Sequence, residues 1–165
     1  MPEPANPFSH LDASDNPAMV DVSQKAVTRR TARARAIVVL PEAVLAHFDA
    51  GDIRTKKGAV FQTAIIAGIM AAKKTGELIP LCHPLGMENC HVEITLNARR
   101  EVVVDCTAVV TAKTGIEMEA LTGATVAALT IYDMCKALSH DIVIREVRLL
   151  EKTGGKRDVA AGDLY

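Results

Sequence analysis

The sequence predicts an α+β fold in which one antiparallel sheet carries helices packed on one face. Three observations lead there. Two runs of alternating, β-branched residues are joined by the short polar turn NARRE; two long uncharged runs have helical length; and a further alternating run stands near each end of the set.

Each element has its own warrant. Residues 1–18 contain four of the seven prolines and few apolar groups, the composition of a mobile arm without a core of its own. From Ala32 to Leu40, Arg33 and Arg35 alternate with Ala34 and Ala36, the period of a strand entered from a charged edge. Pro41 then opens a short helix at its first position, Gly51 closes it, and DIRTKKG reads as a polar loop. Gly58 to Thr75 is a second helix, apolar on most faces. It ends in Lys73 and Lys74, where positive charge suits a helix C-terminus, and Gly76 follows. LIPLCHPLG holds two prolines and is a rigid loop. His91–Leu96 and Val102–Val110 form a hairpin, a long helix runs to about Ser139, and Ile142–Leu150 is the last strand. The order β-α-α-β-β-α-β contains the split βαβ pattern of ferredoxin-like folds. The expected organisation is an arm over 1–18, a single domain over 19–157 and a flexible tail over 158–165.

Composition excludes several function classes. A net charge of −1 provides no field to hold nucleic acid or an anionic membrane, and 3% aromatic residues with no Trp leave no stacking platform for single strands. The longest uncharged runs, Gly58–Ala72 and Ala120–Tyr132, fall short of the ~20 residues that span a bilayer. Four cysteines without Cys-x-x-Cys spacing, and an N-terminus lacking the regions of a signal peptide, point to a reducing cytoplasm.

The chemistry gathers around the long helix. Thirteen uncharged residues, Ala120–Tyr132, are bracketed by Lys113, Glu117 and Glu119 on one side and by Asp133 and Lys136 on the other. Ionisable groups at the edge of a buried apolar helix acquire the shifted pKa values that general acids and bases need. Glu117 and Glu119 share one side only on an extended segment, so joint action places the helix start near Glu119. Asp133 and Lys136 share a helical face, as a proton-trading pair or as a plain surface ion pair. Glu119 and Asp133 lie ~21 Å apart along one helix. If both are catalytic, a second chain supplies one of them. Gly68, Ala71, Gly123, Ala124 and Ala127 permit close helix packing, either across such an interface or inside one subunit.

Outside the helix, His83 sits between Cys82 and Pro84 in the rigid loop, placed as a proton donor or acceptor or as a structural residue. Cys82, His83, Cys90 and His91 raise zinc, but adjacent Cys-His pairs cannot easily aim at one ion, so no metal site is expected. Lys56 and Lys57 precede Gly58 as anion contacts at a helix N-terminus, or as a solvated loop. Lys152, Lys156 and Arg157 in EKTGGKRD form a basic, glycine-containing segment able to close over phosphates. No stretch matches a P-loop or a dinucleotide fingerprint.

Taken together, MVDVS (Met19–Ser23), KKG (Lys56–Gly58), LIPLCHPL (Leu78–Leu85) and KTGIEMEALTGATVAALTIYDMCKA (Lys113–Ala137) resemble the cyclic pyranopterin monophosphate synthase family of molybdenum cofactor biosynthesis, called MoaC in bacteria. The resemblance covers roughly Ser9 to Arg157. It implies a lyase that rearranges a cyclised dihydro-GTP to a pyranopterin bearing a cyclic phosphate and releases pyrophosphate, by proton transfers without a redox cofactor. Mg²⁺ accompanying the triphosphate is compatible with this. By the same resemblance the catalytic residues are Asp133, Lys57, Lys136, His83, Glu117 and Glu119. The substrate contacts are Leu81, Cys82, His83, Glu117 and Met118, with Arg30, Lys152 and Lys156 on the triphosphate. It further implies a homohexamer, a trimer of dimers, with sites at the dimer interface and ferredoxin-like subunits. Two rival classes remain at this point: a metal-dependent phosphohydrolase using His83 and the carboxylates as ligands, and a non-catalytic nucleotide-binding module.

Overall fold

A computed structural model describes residues 10–12 and 14–160. In chain order the elements are β1 (Thr28–Val39), α1 (Glu42–Leu45), β2 (Phe48–Asp49), β3 (Asp52–Thr55), β4 (Gly58–Ala59), α2 (Val60–Lys73), α3 (Thr75–Leu78), β5 (Asn89–Leu96), β6 (Val102–Ala112), α4 (Glu117–Cys135) and β7 (Val143–Thr153). Four strands make one antiparallel sheet in the order β5-β6-β1-β7. Helix α4 packs on β1, β6 and β7 while α2 packs on β5 and α4, so the long helices share one face, as the ferredoxin-like expectation requires.

The alternation in the central strands builds that face. Ala32, Ala34, Ala36 and Val38 of β1, with Val102, Val104, Cys106, Ala108 and Val110 of β6, are buried against Ala120, Ala124, Ala127, Ala128 and Ile131 of α4. Alanine on the strand allows the helix axis to lie close to the sheet. The intervening residues point the other way and include charged pairs: Arg35 and Asp105 are register partners and join in a double hydrogen bond of 2.7 Å each.

The small residues of the two long helices meet inside the chain. A Cβ added to Gly68 would lie 2.8 Å from the carbonyl oxygen of Gly123 and 3.1 Å from the Ala127 methyl. Gly68, Ala71, Gly123, Ala124 and Ala127 are buried in this seam. They therefore serve core packing and not the contact between subunits that was the other option.

Elsewhere the structure moves boundaries and adds one motif. Strand β1 starts at Thr28, because Thr28–Thr31 pair with Ala112–Val109. The helix after Pro41 is a single turn, and Gly51, at φ +87° next to Ala50 at +47°, closes a β2–β3 turn instead of that helix. The stretch expected as a polar loop is the β3–β4 hairpin, with Arg54 opposite Ala59 and Thr55 opposite Gly58. Strands of two to four residues are too short for alternation to show.

The expected arm and tail lie partly outside the described residues, over 1–9 and 161–165. Within the rest of the arm, the chain folds on itself, Leu11 bridging to Pro17 and the Ala18 N–H donating to the His10 carbonyl at 2.8 Å. Among the described residues no helix is long and apolar enough to cross a membrane.

Candidate active site

The two ends of α4 carry two separate clusters. At the N-terminal end, Glu117 and Glu119 lie in the first turn, where carboxylates suit the positive end of the helix dipole. The helix begins at Glu117, two residues before the start that joint action suggested, yet both carboxylates border the same cleft. Side chains of the first turn tilt toward the helix N-terminus, so a cleft wrapping that end touches both.

The cleft has a volume of about 530 Å³. The rigid loop contributes Leu81, Cys82 and His83, α4 contributes Glu117, Met118 and Glu119, and the C-terminal segment contributes Lys152 and Lys156. A smaller lobe of about 190 Å³ adjoins it, shares Lys25, Glu117, Lys152 and Lys156, and adds Arg30 and Lys113. Every substrate contact implied by the resemblance thus borders this one connected space. Five cations, Lys25, Arg30, Lys113, Lys152 and Lys156, face it. Such a basic lobe attracts a polyanion.

Within the cleft several polar groups have defined partners. Lys152 Nζ donates to Glu117 Oε1 at 2.6 Å. Glu119 is only 4% exposed, and burial, with a smaller push from the charge of Glu117, raises its pKa. Burial likewise raises the pKa of the Cys82 thiol, aided by the charge of Glu119. His83 Nε2 lies 2.8 Å from the Val20 carbonyl oxygen, which can only accept, so Nε2 carries the proton and Nδ1 remains the ring's other polar atom. Arg30 spends Nε and Nη2 on the carbonyls of Ala112 and Lys113, 3.2 Å each.

Lys25 and Lys113 were not among the expected substrate contacts. Lys113 Nζ donates to the Ser23 carbonyl at 2.6 Å, and with the His83–Val20 bond this pins segment 19–25 along the cleft and delivers Lys25 to it. The signal was present in the lysine just after MVDVS, but nothing in the sequence reports which segment lies on which loop.

At the C-terminal end of α4, Asp133 Oδ1 meets Lys136 Nζ at 2.7 Å and Oδ2 meets Lys57 Nζ at 2.9 Å. Hydrogen bonds from Lys136 and then Lys57, with their charges, lower the Asp133 pKa to about 2, and the same contact raises that of Lys136. All three side chains are about half exposed. At the N-terminus of α2, where Lys56 and Lys57 suggested an anion contact, the carboxylate of Asp52 takes the N–H groups of Phe61 and Gln62, at 2.7 and 3.2 Å. Lys57 instead turns to α4, and Lys56 is exposed.

Within one chain, then, His83, Glu117 and Glu119 stand with the cleft, and Lys57, Asp133 and Lys136 stand at the far end of α4, ~21 Å away along the axis. A single subunit does not bring the six together.

The family model described as MoaC family matches residues 19–155. The chain is 52% identical over 154 residues to the cyclic pyranopterin monophosphate synthase of Xanthomonas oryzae pv. oryzae, 93% of each chain being covered. The same identity and coverage hold for the protein of that name from Xanthomonas campestris pv. campestris. It is also 49% identical over 162 residues to the molybdenum cofactor biosynthesis bifunctional protein of Synechocystis sp., covering 96% of this chain and 47% of that one.

Proposed function

The chain belongs to the MoaC family, and we propose on that premise that it is a lyase of molybdenum cofactor biosynthesis that makes cyclic pyranopterin monophosphate from cyclised dihydro-GTP. Pyrophosphate is the second product. The observation that carries this reading is one connected space in which a five-cation lobe opens onto a pocket holding His83 and the buried Glu119. A triphosphate fits the first part and a purine-derived ring the second.

In the mechanism, Lys25, Arg30, Lys113, Lys152 and Lys156 hold the triphosphate and offset the charge that builds as pyrophosphate leaves. Any Mg²⁺ enters with the triphosphate as part of the substrate, and no redox cofactor takes part. Lys152, already paired with Glu117, joins the phosphate side to the ring side. His83 orients the ring through Nδ1 while Nε2 is held by the Val20 carbonyl. Glu119, raised by burial, moves a proton closer to neutral pH than an ordinary carboxyl does.

Lys57 and Lys136 supply further protons, and the ionised Asp133 keeps both ammonium groups in place. The separation of the two clusters along α4 supports their arrival from a second subunit. The assembly is a cytoplasmic homohexamer, a trimer of dimers, with each site at a dimer interface.

Incubating the purified protein with cyclised dihydro-GTP tests the function, the expected result being pterin and pyrophosphate in equal amounts. Binding without pyrophosphate release would replace the enzyme with a nucleotide-binding module. Turnover abolished by a chelator and restored by a transition metal would point to a metal-dependent phosphohydrolase.

A further inference from the structure

Asp52 is 8% exposed and spends its carboxylate on backbone N–H groups. Oδ1 accepts from Ile53 at 2.6 Å and from Phe61 at 2.7 Å, and Oδ2 from Gln62 at 3.2 Å. Phe61 and Gln62 are in the first turn of α2, whose N-cap residue Ala59 makes no side-chain bond. The unpaired N–H groups that begin every helix are satisfied here from the far side of a hairpin.

Only the β3–β4 hairpin lies between the two halves of this clamp, with Lys56 and Lys57 at its tip. The tip has little freedom: the Lys57 N–H donates to Thr55 Oγ1 at 3.2 Å, and Gly58 sits at φ +110°, which side-chain-bearing residues rarely adopt. The direction in which Lys57 leaves the hairpin is therefore set at the base. From there its ammonium reaches Asp133.

We propose that Asp52 is a positioning residue that clamps the base of the β3–β4 hairpin onto α2 and so holds the Lys57 ammonium at the Asp133 carboxylate. The kinetic arm of the proposal rests on the reading above that Lys57 takes part in the reaction; the geometric arm does not.

Two measurements on the full chain separate them. The first is titration of the Asp133 carboxyl by NMR in Asp52→Ala and Asp52→Asn. Loss of the clamp should let Lys57 drift and shift the Asp133 midpoint upward, strongly for Ala and partly for Asn, which keeps one acceptor. An unchanged midpoint in the variants that fold overturns the proposal, and if Asp52→Ala does not fold, Asp52→Asn decides.

The second is steady-state kinetics with cyclised dihydro-GTP. Asp52→Ala should lower kcat about 10- to 100-fold with KM within about 3-fold, the scale of a misplaced catalytic group. Adding Asp52→Ala to Lys57→Ala should change kcat less than about 2-fold further, because both act through one ammonium. Independent, multiplicative losses overturn the proposal. Wild-type turnover in Lys57→Ala, alongside a shifted Asp133 midpoint, would instead overturn the catalytic role of Lys57 and leave the clamp standing.

Discussion

The Lys57 ammonium and the Asp133 carboxylate stand 2.9 Å apart across 76 residues of sequence, and Lys57 also donates to the Asp133 main-chain carbonyl at 3.1 Å. That carbonyl is among the last four of α4, which have no partner within the helix. One lysine thus closes a helix terminus, where positive charge is favoured, and fixes an ionised carboxylate. The two residues are a unit.

The unit dictates how inactive subunits complement one another. Asp133→Ala and His83→Ala should each cut turnover by on the order of 10²-fold. Chains of the two kinds, unfolded and refolded together, should recover about a quarter of wild-type activity, since half of randomly formed dimers are mixed and each mixed dimer has one intact site. Mixing Asp133→Ala with Lys57→Ala should recover nothing, because every Lys57–Asp133 cluster then carries a defect. Activity measured against mixing ratio distinguishes these outcomes, and recovery in the second mixture would show that the two residues serve different sites.

Glu119 links activity to stability. Its pKa in the folded chain lies above its ordinary value of 4.5, so folding is not penalised at low pH and loses stability as pH rises from 4.5 through the folded value. Glu119→Gln removes the ionisation. The variant should melt above the wild type at pH 7, with the difference closing below about pH 4, while turnover falls. Melting curves across that range check the sign; a wild type that is the more stable at pH 7 would mean that the buried carboxylate is well solvated or paired.

Gly68 tests the helix seam. A methyl group there would press on the backbone oxygen of Gly123 at 2.8 Å, so α2 and α4 must part. Gly68→Ala should cost about 1–3 kcal/mol, the usual scale of overpacking. Gly86→Ala, where a Cβ would meet nothing within 4 Å, is the matched control and should be near neutral. Denaturant midpoints compare them.

The layout of strands and long helices was legible because β1, β6 and α4 are long enough for period to declare itself: Arg33 and Arg35 against Ala34 and Ala36, thirteen uncharged residues in α4. The β2–β3–β4 sheet was not, since the pairs Phe48–Ile53 and Thr55–Gly58 depend on turn geometry and not on pattern. In the site, His83, Glu117 and Glu119 were legible by type and spacing, whereas Leu81, Cys82 and Met118 came only with the family resemblance. The use of Asp52 to cap α2 was invisible, because an aspartate in a polar stretch looks solvated until the fold brings Phe61 and Gln62 to it. The same contact occupies the helix N–H groups beside which Lys56 and Lys57 suggested an anion role by sequence position.

Because α4 is clamped along its length by the Gly68–Gly123 seam, it acts as a ruler that cannot be recut. Deleting one residue between Glu119 and Asp133 would swing the far carboxylate about 100° around the axis and pull it in by about 1.5 Å, away from Lys57. Side chains on this stretch can vary in size within the seam's tolerance, but insertions and deletions of single residues are closed to it.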